Sequence, residues 1–426
     1  MSIRKNIRLL RAEGSFLRNA TGFASIQFLS IFAPLIVTPI FIESLTTKTF
    51  GSVMAAHSLA NVAVIIVNFG YSWTGTRLIA QTDCATTRKK YLINAWLGQL
   101  LILFVVLIAI TTFLSMITEL ILLKYFFAYL IFVFGSILST NWFFSGLEKM
   151  SLLAKINVPA RLATIPLAYI LVRDPGDDYI AIFILSLPAL ITGVFSFLWL
   201  ARSNYVSPRQ ASKVETIRLL NSEWLMFFVR GIREIFFSSA TFIAAIALGS
   251  EAAAIYAIAD RVKNAILAVG SPITNALYPR MSKIAVNSIW VFKHNLTLFG
   301  FSIFGLNLFL YIGVLLFGEQ ISNFFFSVTN SGFMSCLTIL AALPIFVGVN
   351  NMTIIQTLVT LNRMIHATIL AAGGVVIFLI IFYPLSVSHG LSGFALAILL
   401  SEFALCVASL IVAVQQIKQK LMLQGY

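Results

Sequence analysis

Charged side chains are scarce in this chain. Asp, Glu, Lys and Arg make up 10% of its 426 residues, whereas soluble domains carry about 25%. Hydrophobic residues make up 59%, and 38 residues are Phe. A soluble globular enzyme is therefore excluded, and the composition predicts an all-α protein that crosses the membrane many times.

The chain also has few cysteines and lacks a nucleotide-binding motif, which limits the kinds of site that it could contain. The three cysteines, Cys84, Cys336 and Cys406, lie far apart, so neither a disulfide framework nor a metal site is expected. No Gly-Lys dipeptide occurs, which excludes a Walker A nucleotide loop. We therefore expect no cofactor, and we expect any driven transport to use an ion gradient. The formal charge of +14 does not indicate a nucleic-acid partner, because the basic residues cluster between apolar runs, where they orient helices.

Twelve segments are apolar over the roughly 20 residues that a helix needs to cross a bilayer. They are 19–42, 52–76, 91–115, 121–144, 152–172, 179–200, 222–248, 252–279, 294–317, 331–360, 367–385 and 391–414. An even number of spans places both termini on one side. A cytoplasmic placement leaves only Lys48, Lys124 and Arg173, of 29 basic residues, in outer segments, as the positive-inside rule requires.

The predicted organisation is two lobes of six helices each. The longest hydrophilic connection, 202–221, separates an N-terminal lobe, 19–201, from a C-terminal lobe, 222–414. A basic cytoplasmic or interfacial segment, 1–18, precedes them, and a cytoplasmic tail, 415–426, follows.

The two lobes show an internal repeat. Shifting the second lobe back by 203 residues aligns Asp260 with His57 and Asn264 with Asn61. An even number of spans per lobe predicts a pseudo-two-fold axis along the membrane normal, with a substrate site near the bilayer midplane between the lobes.

The stretch MFFVRGIREIFF, 226–237, places three charges in an apolar span. The i+3 and i+4 spacings put Arg230, Arg233 and Glu234 on one helix face. Pairing of Arg230 with Glu234 leaves Arg233 in surplus.

A second group of charges lies in span eight. Asp260 and Lys263 are spaced to pair, which leaves Arg261 in surplus together with Arg233. Two guanidinium groups in a membrane interior indicate an anion, most simply a phosphate. The alternative is a static salt-bridge network between helices. If a coupling proton is carried, the expected carriers are Asp260, Glu234, Glu223 and His57, although His57 also fits a satisfied interior histidine.

Three segments resemble bacterial O-antigen flippases of the Wzx type, in the multidrug/oligosaccharidyl-lipid/polysaccharide exporter superfamily. They are NFGYSWTGTRLIA (68–80), WFFSGLEKMS (142–151) and IYAIADRVKNAI (255–266). The most specific is the W-x-x-x-G-L-E-K-M pattern, which begins at Trp142. Chain length and the layout of two sets of six spans also agree with the family.

The resemblance implies a function and a set of site residues. The protein would turn an undecaprenyl-pyrophosphate-linked oligosaccharide from the cytoplasmic to the periplasmic leaflet of the inner membrane, by alternating access and not by catalysis. Membrane lipids, the O-antigen polymerase and the chain-length machinery would be its partners. The expected pyrophosphate-binding residues are Arg77, Arg230, Arg233, Arg261, Lys263 and Arg280, and the expected glycan contacts are Gln27, Asn61, Asn68, Asn264 and Asn275.

Other functions stay open. An ion-coupled drug exporter of the same superfamily would favour acidic residues for organic cations, whereas these spans are net basic. A membrane glycan polymerase or ligase would carry a large outer loop, and no outer connection here exceeds about a dozen residues. A scaffold without a transport role would not need the polar stripe that spans two and eight each carry on one helix face. The stripes consist of His57, Asn61, Asn68 and Ser72, and of Asp260, Asn264, Ser271 and Asn275.

Overall fold

The computed structural model describes residues 2–72, 74–117, 120–326 and 331–423. Within these ranges the described side chains exclude those of residues 2–20, 223, 225, 226, 228–230, 271–273, 275, 276, 278–280, 283, 286, 326 and 423.

The described residues form α-helices joined by short connections, and no β-strand occurs among them. The helices are α1 (Ser2–Ser44), α2 (Thr47–Asn68), α3 (Thr74–Gln81), α4 (Ala85–Met116), α5 (Leu120–Ala128), α6 (Leu130–Ser139), α7 (Asn141–Gly146), α8 (Met150–Leu171), α9 (Asp178–Arg202), α10 (Lys213–Leu248), α11 (Ser250–Asn287), α12 (Ile289–Phe326), α13 (Ser331–Asn350) and α14 (Met364–Leu423). A 3₁₀ turn spans Pro208–Gln210, and a π-helix spans Asn351–Val359. The prediction of an all-α protein is confirmed.

Nine stretches of the described residues are long and apolar enough to cross a membrane. One of them, Met364–Met422, is 59 residues long, and its helix bends at Gly390, where φ is 58°. Two predicted spans, carried by α8 and α11, are not among the nine, because Arg161 and the charges around Asp260 lower their hydropathy. The count of twelve spans and the two-fold relation of the lobes stay predictions.

Contacts divide the chain into two compact units, Met1–Ser239 and Ala240–Tyr426. The first unit therefore includes most of α10, which is tied to α4 by the Lys90–Glu215 ion pair, 3.1 Å long. The Asn94 side chain also accepts hydrogen bonds from the Ser212 backbone and the Thr216 hydroxyl. The predicted division of the spans into six and six stays a prediction.

In the first unit, α1 packs along α8, and α6 packs closely on α9. The α6–α9 approach depends on glycine, because a Cβ at Gly193 would overlap the carbonyl oxygen of Gly135. Such small residues let membrane helices approach until their backbones touch.

In the second unit, α13 packs against α11, α12 and α14. The π-helix continues α13 and keeps most of its side chains buried, including Met352 and Leu358. A buried apolar cluster joins the α11–α12 junction to the end of α14, through Ile289, Phe292 and Ile417.

Two predicted spans are less regular than the sequence pattern indicates. The segment predicted as helical over 52–76 ends at Asn68, where Phe69 takes a φ of 46° and donates its backbone N–H to Ile65 and Ile66. The segment 121–144 is divided among α5, α6 and α7, and Thr140, with a φ of 41°, separates α6 from α7. Hydropathy averaged over a whole span could not reveal these breaks, because a few polar residues such as Asn68 and Asn141 leave the average apolar.

Candidate functional site

The strongest polar cluster inside a predicted span lies on α11. Lys263 forms an ion pair with Asp260 one turn earlier. The Asn264 amide donates to the other carboxylate oxygen of Asp260 at 2.8 Å. The Lys263 side chain is 3% exposed and that of Asp260 is 19% exposed. The predicted pairing of these charges is confirmed, and it is satisfied within one helix.

The predicted cationic face of α10 is partly described. The Arg233 guanidinium lies over the Phe237 ring, with 5.5 Å between the guanidinium carbon and the ring centroid, a cation–π arrangement. Arg233 is half-buried and Glu234 is exposed. The side chains of Arg230 and Glu223 lie outside the described residues, so the predicted Arg230–Glu234 pair stays a prediction.

The polar stripe of α2 begins with His57 and Asn61, which contact each other. The Asn61 amide lies 3.2 Å from His57 Nδ1 and also donates to the His57 carbonyl at 3.1 Å. The His57 ring packs between the rings of Tyr129 and Phe132, at centroid distances of 5.2 and 5.5 Å. His57 therefore lies next to two aromatic rings. This position is compatible with a histidine whose hydrogen bonds are satisfied inside the protein and also with a proton carrier.

Asn68 ends the stripe and links three helices. Its side-chain oxygen accepts from Gln99 of α4 at 3.2 Å, and its amide donates to Ser136 of α6 at 3.5 Å. Gln99 and Ser136 were not among the predicted site residues. Gln99 is fully buried, and the signal that could have found it is a polar residue within the apolar span 91–115.

Two contacts in the first unit join α2 to α10, and their order shows that the two helices run in opposite directions. Ser58 donates to the carbonyl of Ser238, and the rings of Phe69 and Phe227 stack with centroids 4.9 Å apart. Arg233 lies about midway between these two contacts along α10. Because both helices rise about 1.5 Å per residue, Arg233 lies at the level of the α2 residues between Asn61 and Asn68. The Arg233 guanidinium and the side-chain amides of Asn61 and Asn68 therefore lie at a similar depth along the two helices.

The remaining predicted residues are dispersed. Gln27 on α1 and Arg77 on α3 are exposed, while Arg261 on α11 is half-buried. The side chains of Asn275 and Arg280 lie outside the described residues.

A buried polar network in the second unit was not predicted as a site. The Asn350 amide donates to the Glu402 carboxylate at 2.8 Å, and Ser409 donates to the Asn350 side-chain oxygen at 3.2 Å. The Thr353 and Ser409 hydroxyls lie 2.8 Å apart. Glu402 is 3% exposed, and the network adjoins the π-helix. An acidic residue in an apolar span was the available signal.

The W-x-x-x-G-L-E-K-M segment has a packing role. Trp142 is buried against Tyr71 and Tyr91, and its backbone oxygen accepts from Thr76 of α3 at 3.1 Å. A Cβ at Gly146 would lie 2.7 Å from the Ile79 Cβ. The pattern therefore fixes α7 against α3.

No three His, Cys, Asp or Glu side chains meet as metal ligands would, as far as the chain is described. The helices and the polar groups inside them define a class: a multi-pass α-helical membrane protein. It superposes on the "Lipid II flippase MurJ, inward closed conformation" with a TM-score of 0.65 and 15% identity, over 93% of this chain and 88% of that one. An inward-facing "multidrug resistance MATE family transporter of the MOP superfamily" gives a TM-score of 0.60 and 15% identity, over 94% and 95% of the two chains.

The sequence comparison identifies the family. A model described as "Polysaccharide biosynthesis protein" matches residues 16–285, more than half of the chain, and the chain belongs to this family. Relatives from Shigella dysenteriae and Escherichia coli (strain K12) are both named "Putative O-antigen transporter". The first is 23% identical over 371 residues, 87% of this chain and 92% of the relative. The second is 25% identical over 400 residues, 91% and 94% of the two chains.

Proposed function

We propose that this protein is a flippase for a lipid-linked oligosaccharide of the O-antigen type. Its substrate is an undecaprenyl-pyrophosphate-linked repeat unit, moved from the cytoplasmic to the periplasmic leaflet of the bacterial inner membrane. Membership of the polysaccharide biosynthesis family supports this class of substrate. The observation that carries the proposal is the common depth of Arg233 and the α2 amides, because a pyrophosphate sugar needs both cations and amides.

The division of roles follows from the chemistry of each group. Arg233 and Arg261 attract the pyrophosphate, and a guanidinium can grip phosphate oxygens in a bidentate way. Asn61 and Asn68 offer amides to sugar hydroxyls. The isoprenoid tail stays in the bilayer, so only the polar head crosses through a cationic cavity. Alternation of two lobes around that cavity moves the head without moving the tail out of the lipid.

Ion coupling belongs to the same proposal, and Asp260 is its first carrier. Protonation of Asp260 would remove its attraction for Lys263 and free a cation for the pyrophosphate. Glu234, Glu223 and His57 are the other proposed carriers. Asp260→Asn is expected to remove the dependence of substrate movement on an imposed proton gradient in proteoliposomes. A variant that keeps the wild-type dependence would exclude Asp260 as the carrier.

The decisive experiment is lipopolysaccharide profiling in a deletion strain complemented by this chain. Loss of all O-antigen, with lipid-linked single repeats held on the inner face, is expected without complementation. A lipopolysaccharide that carries one repeat would indicate a polymerase instead. Display of O-antigen is expected to fail for Arg233→Glu and Arg261→Glu at unchanged protein level. Arg202→Glu is the matched control, because Arg202 is an exposed arginine at the end of α9.

The second candidate is a drug exporter, favoured by the fold shared with a multidrug transporter. An organic cation would meet Arg233 at the middle of the span, and like charges repel each other strongly at low dielectric. Unchanged O-antigen together with a raised drug susceptibility in the deletion strain would support this candidate over the flippase.

A further inference from the structure

The second unit carries an apolar groove away from the cluster around Asp260. It lies between the first half of α12, the last turns of α14 and the junction of α13 with the π-helix. Its volume is about 340 Å³, and its walls include Leu296, Phe301, Met352 and Ile417. Phe301 is 73% exposed, so the groove opens at the surface of the unit.

One end of this groove is basic. Lys293 near the start of α12 and Lys418 near the end of α14 both line it, and both are exposed. Among the described residues that line the groove, none is acidic. The two helix ends are held together, because Lys420 donates to the Ala285 carbonyl at 3.3 Å, close to the start of α12. An anionic group is the charge-complementary occupant of this end.

The length of the groove matches one leaflet of a bilayer. Along α12 it extends from Lys293 to Phe304, about 16 Å at 1.5 Å per residue. Half of a hydrocarbon core of about 30 Å is about 15 Å. The lysines therefore lie at the depth of lipid phosphates when the apolar part lies in the acyl layer.

We propose that this groove binds one anionic phospholipid of the membrane. One acyl chain lies along α12 and α14, and the phosphate lies between Lys293 and Lys418. A leaflet-length groove fits an acyl chain, whereas the long isoprenoid chain of the proposed substrate would extend beyond it. This lipid site goes beyond the transport function and does not depend on which glycan is carried.

A substitution at one glycine can fill the groove without a clash between its Cβ and neighbouring atoms. Gly300 lines it, and a Cβ at this position meets no atom within 4 Å. Gly305, five residues further along the same helix, also has open space for a Cβ but does not line the groove. Gly300→Phe and Gly305→Phe thus add the same ring to the same helix, and only the first fills the groove.

The test titrates the purified, delipidated full-length protein with dioleoyl phosphatidylglycerol or dioleoyl phosphatidylcholine and counts bound lipids by native mass spectrometry. One phosphatidylglycerol is expected to bind preferentially to the wild-type protein and to Gly305→Phe, and to be lost in Gly300→Phe. Lys293→Gln and Lys418→Gln are each expected to weaken it about fivefold, which corresponds to ~1 kcal/mol per basic residue near an anionic surface. Lys213→Gln, an exposed lysine at the start of α10, is expected to have no effect.

Three results would overturn the proposal. The first is equal binding of the two phospholipids, and the second is equal binding by Gly300→Phe and Gly305→Phe. The third is displacement of phosphatidylglycerol by undecaprenyl phosphate at equal concentration, which would assign the groove to an isoprenoid chain. Unchanged phosphatidylglycerol binding by both lysine variants would be a fourth such result. These variants keep the groove intact, so they decide the question even if Gly300→Phe does not fold.

Discussion

Removal of the Lys263 charge is the sharpest probe of the α11 cluster. Lys263→Met keeps the length and the apolar stem of the side chain but removes the ammonium group that pairs with Asp260. The carboxylate of Asp260 then keeps one described donor, the Asn264 amide at 2.8 Å. An ionised carboxylate inside a membrane span without its cation is costly, so we expect the variant to be destabilised.

The magnitude follows from the burial of the pair. Breaking a buried ion pair by removing one partner costs about 3–5 kcal/mol. Asp260 is 19% exposed and keeps the Asn264 bond, so we expect a cost at or just below the bottom of that range, about 2–3 kcal/mol. Asp260→Asn is expected to cost about 3–5 kcal/mol, because Lys263 is only 3% exposed. Removing both charges together is often close to neutral.

The double variant, Asp260→Asn with Lys263→Met, separates pairing from other effects. Unfolding in mixed micelles titrated with sodium dodecyl sulfate would measure the free energy of each protein. We expect the double variant to be more stable than either single variant. If it is close to neutral, the coupling equals the sum of the two single costs, about 5–8 kcal/mol. Additive costs, or single variants each below about 1 kcal/mol, would refute the pairing argument. O-antigen display by a stable double variant then shows whether the charges act in transport as well as in folding.

Two further predictions concern the first unit. Cys84 is exposed while the other two cysteines are buried, and hydrogen bonds from the Thr87 backbone N–H, and then from its hydroxyl, lower the pKa of the Cys84 thiol. The rate at which a membrane-impermeant maleimide labels Cys84 should therefore reach half of its maximum at a lower pH than for an ordinary cysteine. Labelling is expected in inside-out vesicles but not in intact cells. Labelling of intact cells would contradict the predicted orientation. Gly146→Ala should cost about 1–3 kcal/mol by overpacking, because its Cβ would lie 2.7 Å from that of Ile79. Gly176→Ala, which meets nothing within 4 Å, should keep the wild-type melting temperature, and equal melting of both variants would contradict the packing argument.

Local patterns in the sequence were sufficient for the helical class and for the α11 ion pair. Long apolar runs have few alternatives to a membrane helix, and residues three or four apart on a helix must be neighbours. The Asp260–Lys263 pair follows from that spacing alone. Hydropathy is also what assigns Met364–Met422 to the membrane, although it cannot locate the bend at Gly390.

Contacts between distant residues could not be predicted. The Asn350–Glu402 bond joins residues 52 apart, and the Gln99–Asn68 bond joins residues 31 apart. Such contacts depend on which helices pack together and in which register, and an apolar run carries little information about either. The π-helix that begins at Asn351 also has no signature in hydropathy, because hydropathy does not distinguish an i→i+5 from an i→i+4 pattern of backbone hydrogen bonds.

The polar groups inside the spans are satisfied in two ways, and the difference bears on how a transporter could move. Asn61 contacts His57 and Asn264 contacts Asp260, so positions related by the offset of 203 make the same contact, one turn back on the same helix. Contacts of this kind persist when a helix moves as a rigid body, because both partners move together. The bond between Asn350 and Glu402 instead joins α13 to α14. Any sliding between those two helices must break a buried bond to a carboxylate, which costs about 1–3 kcal/mol or more. Rearrangement during transport should therefore spare that helix pair and carry the Asn61–His57 and Asn264–Asp260 pairs with it as fixed units.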